Sequence, residues 1–165
     1  MSLTTVQGGM SSALVAGTAV ATTSGTSIDF TSIPSWVKRI TVIFNGVSTN
    51  STSQPLIQIG SGSVQTTGYT AGSRQGDTTQ SGYTTGFGMN SSSASNFIYG
   101  HMVLTILSGN SWVASHSIFF NQAGVSFALT GGGVVSLSGT LDRLRLTTVN
   151  GTDTFDAGSI NILYE

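Results

Sequence analysis

The sequence predicts an all-β protein, an antiparallel jelly-roll-like β-sandwich of about ten short strands. Three observations carry that prediction. Apolar residues alternate with polar ones in short runs, the two-residue period of a strand, and no segment sustains a helical period. Turn signals recur about every 8 to 12 residues, the spacing of sandwiches and barrels. Polarity comes from hydroxyls rather than charges: the chain holds 26 Ser, 24 Thr and 22 Gly, while charged residues make up only 7%. Thr favours strands, and Gly and Ser favour turns. With 38% hydrophobic residues there is enough apolar surface to bury, so the bias does not signal disorder. A chain of 165 residues suits one domain, expected at 24–165, with 1–23 as a partly ordered N-terminal segment.

Residues 11–22 alternate weakly, with Leu14, Ala16, Thr18 and Val20 on one face. They predict a first strand, because Gly17 and the threonines disfavour a helix. Ser24-Gly25 turns the chain into a short strand at 26–31, where Ile28 and Phe30 share a face. The organising stretch is 34–47. Pro34-Ser35 opens it; Ile40, Val42 and Phe44 share one face, and Val37, Arg39, Thr41 and Ile43 share the other. Two partly apolar faces predict a central strand or a second covered surface. Asn45-Gly46 near its end is the strongest short hairpin signal available.

A polar loop is expected at 48–53, then a strand at 56–60 paired with 64–69. Residues 70–82 have almost no apolar side chains and predict a long loop, the best place for function. A Gly-weakened strand at 83–89 and a loop at 90–96 follow. Residues 97–107 are strongly apolar and read as a hairpin, about Ser108-Gly109-Asn110-Ser111, with 112–122, where Ile118 and Phe120 share one face and Val113, Ser115, Ser117 and Phe119 the other. Val125, Phe127 and Leu129 alternate, and Gly131-Gly132-Gly133 is expected to be a tight connection into Val135 and Leu137. A strand at 141–149 points Leu144 and Leu146 inward and Arg143 and Arg145 outward, and ends at Asn150-Gly151. Ile160, Ile162 and Tyr164 close the domain.

Composition also excludes partners. Cysteine is absent, so there is no disulfide framework and no Cys-ligated metal. The net charge of -1 offers no basic field for phosphates, which argues against nucleic acid. Residues 10–21 are mildly apolar but too short and too rich in Ser, Thr and Gly to cross a bilayer, so membrane insertion is not expected. Five Lys and Arg residues leave few charges to guard sheet edges, and self-association is a natural way to cover them.

The run Ile33-Pro-Ser-Trp-Val-Lys-Arg-Ile-Thr-Val-Ile-Phe-Asn-Gly-Val-Ser-Thr49 is followed by Leu56-Ile-Gln-Ile-Gly60. With the ending Phe155-Asp-Ala-Gly-Ser-Ile-Asn-Ile-Leu-Tyr-Glu165, it resembles the C-terminal (head, receptor-binding) domain of tailed-bacteriophage tail-fibre and related tail proteins. The resemblance covers residues 24–165. It implies a non-enzymatic, homotrimeric fibre-tip domain in the virion tail, made in the bacterial cytoplasm if prophage-encoded. The partners it implies are further copies of the chain, other tail proteins, and a bacterial surface glycan or outer-membrane protein. It implies no cofactor.

The residues themselves give no catalytic set. Gly-x-Ser-x-Gly, His-Glu-x-x-His and Walker patterns are absent. The two histidines, His101 and His116, lie on strands expected to pair. They read as ordinary, partly buried imidazoles; a metal or acid-sensing role has no spacing support, and no metal site is expected. Asp29, Asp77, Asp142, Asp153, Asp156 and Glu165 are scattered rather than paired for glycosidase chemistry. Asp29, Asp153 and Asp156 read as turn residues that bind backbone N–H groups. Arg39, Arg143 and Arg145 read as solvated or Asp-paired, with a subunit interface as the rival.

Loop aromatics give the candidate receptor or glycan-binding set. Tyr69 and Tyr83 flank 70–82, Trp112 follows a turn, and Arg74 and Asp77 could hold sugar hydroxyls beside them. The competing reading puts Trp112 and Trp36 in the core or at a subunit contact. Two non-enzymatic functions follow: a phage or prophage tail structural protein that binds a host receptor through its loops, or a stand-alone carbohydrate-binding module of the same sandwich class. A polysaccharide depolymerase ranks below both, because the chain has no room for a separate catalytic domain.

Overall fold

The computed structural model describes residues 14–76, 79–122 and 124–165. Among the described residues every regular element is a strand. In chain order these are β1 (Val15–Ala16), β2 (Val20–Ala21), β3 (Ile28–Thr31), β4 (Arg39–Thr49), β5 (Pro55–Ser61), β6 (Ser63–Val64) and β7 (Thr70–Gln75). They continue with β8 (Thr79–Tyr83), β9 (Phe87–Gly88), β10 (Phe97–Ser108), β11 (Ser111–Gln122), β12 (Val125–Ser136), β13 (Arg143–Thr148) and β14 (Phe155–Tyr164). Strands β1, β2, β6 and β9 are two residues long, so the longer strands match the expected number.

The strands form two antiparallel sheets. The large one runs β1-β14-β4-β10-β11-β12-β7-β8, with β2 also on β14; the small one runs β3-β13-β5-β6, with β9 also on β5. Strands β10, β11 and β12 follow one another as a meander within the large sheet. The sheets enclose one core. Ile40, Val42, Phe44, Met102, Leu104 and Phe120 enter it from the large sheet, and Ile28, Ile57, Ile59, Leu144 and Leu146 from the small one. This is the expected β-sandwich.

Strand β4 is central, between β14 and β10. Its inner row is Ile40, Val42 and Phe44, and its outer row of Thr41 and Ile43 is only half-buried. The strand continues through Ser48 to Thr49, where a loop was expected. Asn45-Gly46 is a bulge, not a hairpin turn. Asn45 pairs with Tyr99 and Val47 with Ile98, leaving Gly46 as the extra residue at φ 66°. A turn and a bulge make the same demand on a glycine, so the dipeptide alone does not separate them.

Two further expectations change. Of the loop expected at 70–82, residues 70–75 and 79–82 are strand: β7 and β8 pair on the edge of the large sheet, and residues 77 and 78 lie outside the described residues. Gly131, Gly132 and Gly133 lie inside β12, where a connection was expected. There they let strands crowd together, since a Cβ on Gly131 would come within 2.5 Å of His116 Cε1 and one on Gly133 within 2.6 Å of Ala71 Cβ. The first strand is real but broken into β1 and β2, both laid on β14; residues 11–13 of that expectation fall outside the described residues.

Register gives the sandwich two distinct ends. Val15 pairs with Tyr164, and the backbone N–H groups of Lys38 and Arg39 donate to the Glu165 carbonyl, so residues 14 and 165 lie together at one end. We call this the terminal end. The connections at 22–27, 50–54, 89–96 and 149–154 all sit at the opposite end, the loop end.

Candidate functional site

Three residues of the expected binding set are inside the protein. Trp112 is 2% exposed, Tyr69 3% and Tyr83 6%. Trp112 stands on the inner row of β11 and packs into the core. The Tyr69 ring meets Phe87 edge-on at 5.0 Å, and its hydroxyl accepts the Ile59 N–H at 2.9 Å. Tyr83 donates its hydroxyl to Gln54 Oε1 at 2.9 Å. Burial pushes both tyrosine pKa values up to about 12, so both stay protonated. These rings cannot stack on a sugar. Arg74 is exposed on β7, and Asp77 lies outside the described residues.

The histidines do not converge either. Met102, not His101, pairs with His116, and that one-residue offset sends the two imidazoles to opposite faces. His101 is exposed. His116 is buried, with Nε2 3.1 Å from Ser73 Oγ, and Ser73 Oγ in turn accepts the Asn90 N–H at 3.1 Å. His116 Nδ1 is buried without a partner among the described residues. The Ser73–His116 contact thus lacks the acidic orienting group of a triad, and Ser73 is itself sealed in.

Four acidic residues are committed to structure, whereas Asp156, expected at a turn, is exposed within strand β14. Asp29 sits opposite Arg145 on β3 and β13 and takes a two-pronged bond at 2.7 and 2.8 Å, rather than capping a turn. Asp142 pairs with Arg143 at 2.8 Å, and Glu165 with Arg39 at 3.3 Å. Asp153 does serve its turn: it accepts the Ser53 N–H at 2.8 Å and the Asn150 side-chain amide at 2.6 Å. These two donors hold its carboxyl below the usual carboxylate range, the Asn150 bond first.

Asp153 belongs to the loop end, the first candidate surface. The connections at 22–27, 50–54, 90–96 and 149–154 are made almost wholly of Ser, Thr, Asn, Gln and Gly, and Asp153 is their one ionisable side chain. They are tied to one another. Asn50 Oδ1 accepts the Thr154 N–H at 2.9 Å, and Gln54 donates to Asn90 Oδ1 at 2.6 Å. Gln122 donates to Ser93 Oγ at 3.2 Å, and Asn150 Oδ1 accepts the Thr152 and Asp153 N–H groups at 3.0 and 3.2 Å. Such cross-links fix loop shape in advance, which lowers the ordering cost of binding. The exposed remainder is a neutral field of hydroxyls and amides around the exposed Val149.

No protein-family model, curated protein or solved structure matches this chain. The chemistry of the surface must therefore carry the reading.

A second surface adjoins the loops on the outer face of the large sheet. Tyr99 and Phe119 are directly opposed on β10 and β11 and stack at 5.1 Å with 15° between planes. Tyr99 lies over the bulge, because a Cβ on Gly46 would be 3.5 Å from its hydroxyl. Phe119 remains 45% exposed, and Phe97 is exposed on the same face. Sequence reasoning passed over these rings. The available signal was the row Val113, Ser115, Ser117, Phe119, whose serines mark the solvent side of β11.

Proposed function

We propose that this protein is a non-enzymatic attachment domain. It is a phage or prophage tail-fibre tip that assembles as a homotrimer in the virion tail and meets a bacterial surface glycan or outer-membrane protein through its loop end. One observation carries the proposal: residues 14 and 165 share one end, and the cross-linked hydroxyl and amide loops occupy the other. A partner seated at the terminal end leaves the loop end facing outward. A rigid sandwich that presents polar loops is a common recognition platform. A neutral loop surface also binds with little dependence on salt.

Exposed apolar residues favour self-association at the other half of the molecule. Leu14, Trp36, Leu107, Val113 and Val134 are all exposed at or near the terminal end, and copies of the chain are proposed to meet there. The stand-alone carbohydrate-binding module is the second reading, favoured by the exposed Tyr99–Phe119 stack. A monomer that binds glycans would select it.

The test is binding of labelled protein to a panel of bacterial strains. Thr52→Arg, Ser92→Arg and Thr152→Arg each place a bulky cation on the exposed loop end, and Thr31→Arg serves as a control at the terminal end. The proposal expects wild type and the control to decorate the same strains, and the three loop variants to lose them. Equal binding by all variants would overturn it.

A further inference from the structure

We infer that the Tyr99–Phe119 stack is the ring platform of a site for a neutral saccharide. The inference rests on the attachment reading above and names the class of ligand. Tyr99 covers one face of Phe119. On the other side, the residue opposite Phe119 on β12 is Ala128, whose methyl group is too short to cover the ring. An aromatic face carries negative quadrupole potential. The axial C–H bonds of a pyranose are weakly positive and apolar, so a sugar ring seats on such a face where water gains little.

The surroundings supply what the rest of a sugar needs. Asn121 and Ser126 form the next row of β11 and β12 toward the loops, and Asn121 already donates to Ser126 Oγ at 3.4 Å. On the other side, Ser117 and Thr130 form the row below. Amides and hydroxyls thus flank the open ring on both sides, spaced by about 7 Å along each strand, a span comparable to one sugar ring. Charge decides the class of ligand. The row of Asn45, Tyr99, Phe119 and Ala128 and the row of Phe97, Asn121 and Ser126 contain no carboxylate, ammonium, guanidinium or imidazole. The row of Ser117 and Thr130 continues to the His101 imidazole on β10 and the Arg74 guanidinium on β7, so the ligand is assigned to the ring and its loop-side row. An anionic glycan seated there would find no counter-charge on either row. A neutral one loses nothing.

The experiment uses the full chain on an array of neutral gluco-, galacto-, manno- and rhamno-oligosaccharides. Saturation-transfer NMR then locates the contact on the best member. Phe119→Leu keeps the apolar volume but removes the ring, Tyr99→Ala removes the backing, and Thr31→Arg alters an exposed residue of the small sheet, away from the stack. The expected result is binding of at least one oligosaccharide, about tenfold weaker in Phe119→Leu and Tyr99→Ala, as for truncation of an interface aromatic. Thr31→Arg should bind as wild type. Melting temperatures identify any variant that fails to fold, and Phe119→Leu is the decisive one. No binding on the array, or undiminished binding by Phe119→Leu, overturns the inference. A lower oligomer mass in Phe119→Leu also overturns it, because a second copy would then be the occupant. If strains are still bound while Phe119→Leu has no effect, the site assignment fails and the attachment reading stands. If the array binds but no strain does, the attachment reading fails.

Discussion

His116 is neutral in the fold because burial strips water from its imidazolium, and its pKa falls from 6.5 to about 4. The unfolded chain therefore takes up a proton between about pH 6.5 and pH 4 that the folded protein refuses. The associated stability is complete above that window and is lost as pH falls through it. The loss amounts to about 3 kcal/mol, at about 1.4 kcal/mol per pKa unit. Urea unfolding between about pH 7 and pH 4 should show this decline in wild type and a flatter profile in His116→Gln. Equal slopes would contradict the assignment. Asp153 acts in the same direction at lower pH: its depressed carboxyl pKa gives stability that is present above the carboxylate range and disappears as pH falls below it. Asn150 serves that carboxylate and two backbone N–H groups at once. Asn150→Ala should therefore cost about 1–3 kcal/mol by chemical denaturation, through groups left without partners.

At the scale of elements, the β11–β12–β7 contact depends on a missing side chain. Gly131→Val would drive a branched side chain against His116 and the backbone of β7. The expected cost is about 1–3 kcal/mol, with faster amide exchange in β7 and β8 and unchanged protection in β4 and β10. Uniform loss across the sheet would contradict so local a role. These are also the elements the sequence hid. Alternation exposed β4, β10, β11 and β13, because each has one buried row. Strands β7 and β8 join the sheet through backbone bonds while carrying Thr, Gly, Ser and Gln, so no apolar rhythm announces them. The glycines of β12 looked like a turn because crowding and turning both remove the Cβ. The binding set failed for a related reason. Trp112 sits beside a turn yet points inward, whereas Phe119, within the apolar triplet Ile118-Phe119-Phe120, points outward. Parity settles both, but only once the strand boundaries are known.

At the scale of the molecule, charge is scarce and two groups of exposed apolar residues stand out. Three of the arginines are held in pairs with Asp29, Asp142 and Glu165, all on the surface and each worth little to stability. The terminal-half patch of Leu107, Val113 and Val134 is proposed to be covered by other copies of the chain. Leu107→Glu combined with Val113→Lys should therefore dissociate the assembly without lowering the stability of the sandwich core. A double variant that keeps the wild-type mass would place the contact elsewhere.

Self-association through the terminal half is central to the attachment proposal, and light scattering coupled to gel filtration tests it most directly. At micromolar protein the expected species has three times the 16.9 kDa chain mass. A sharp, concentration-independent peak at the mass of a single chain would contradict the account.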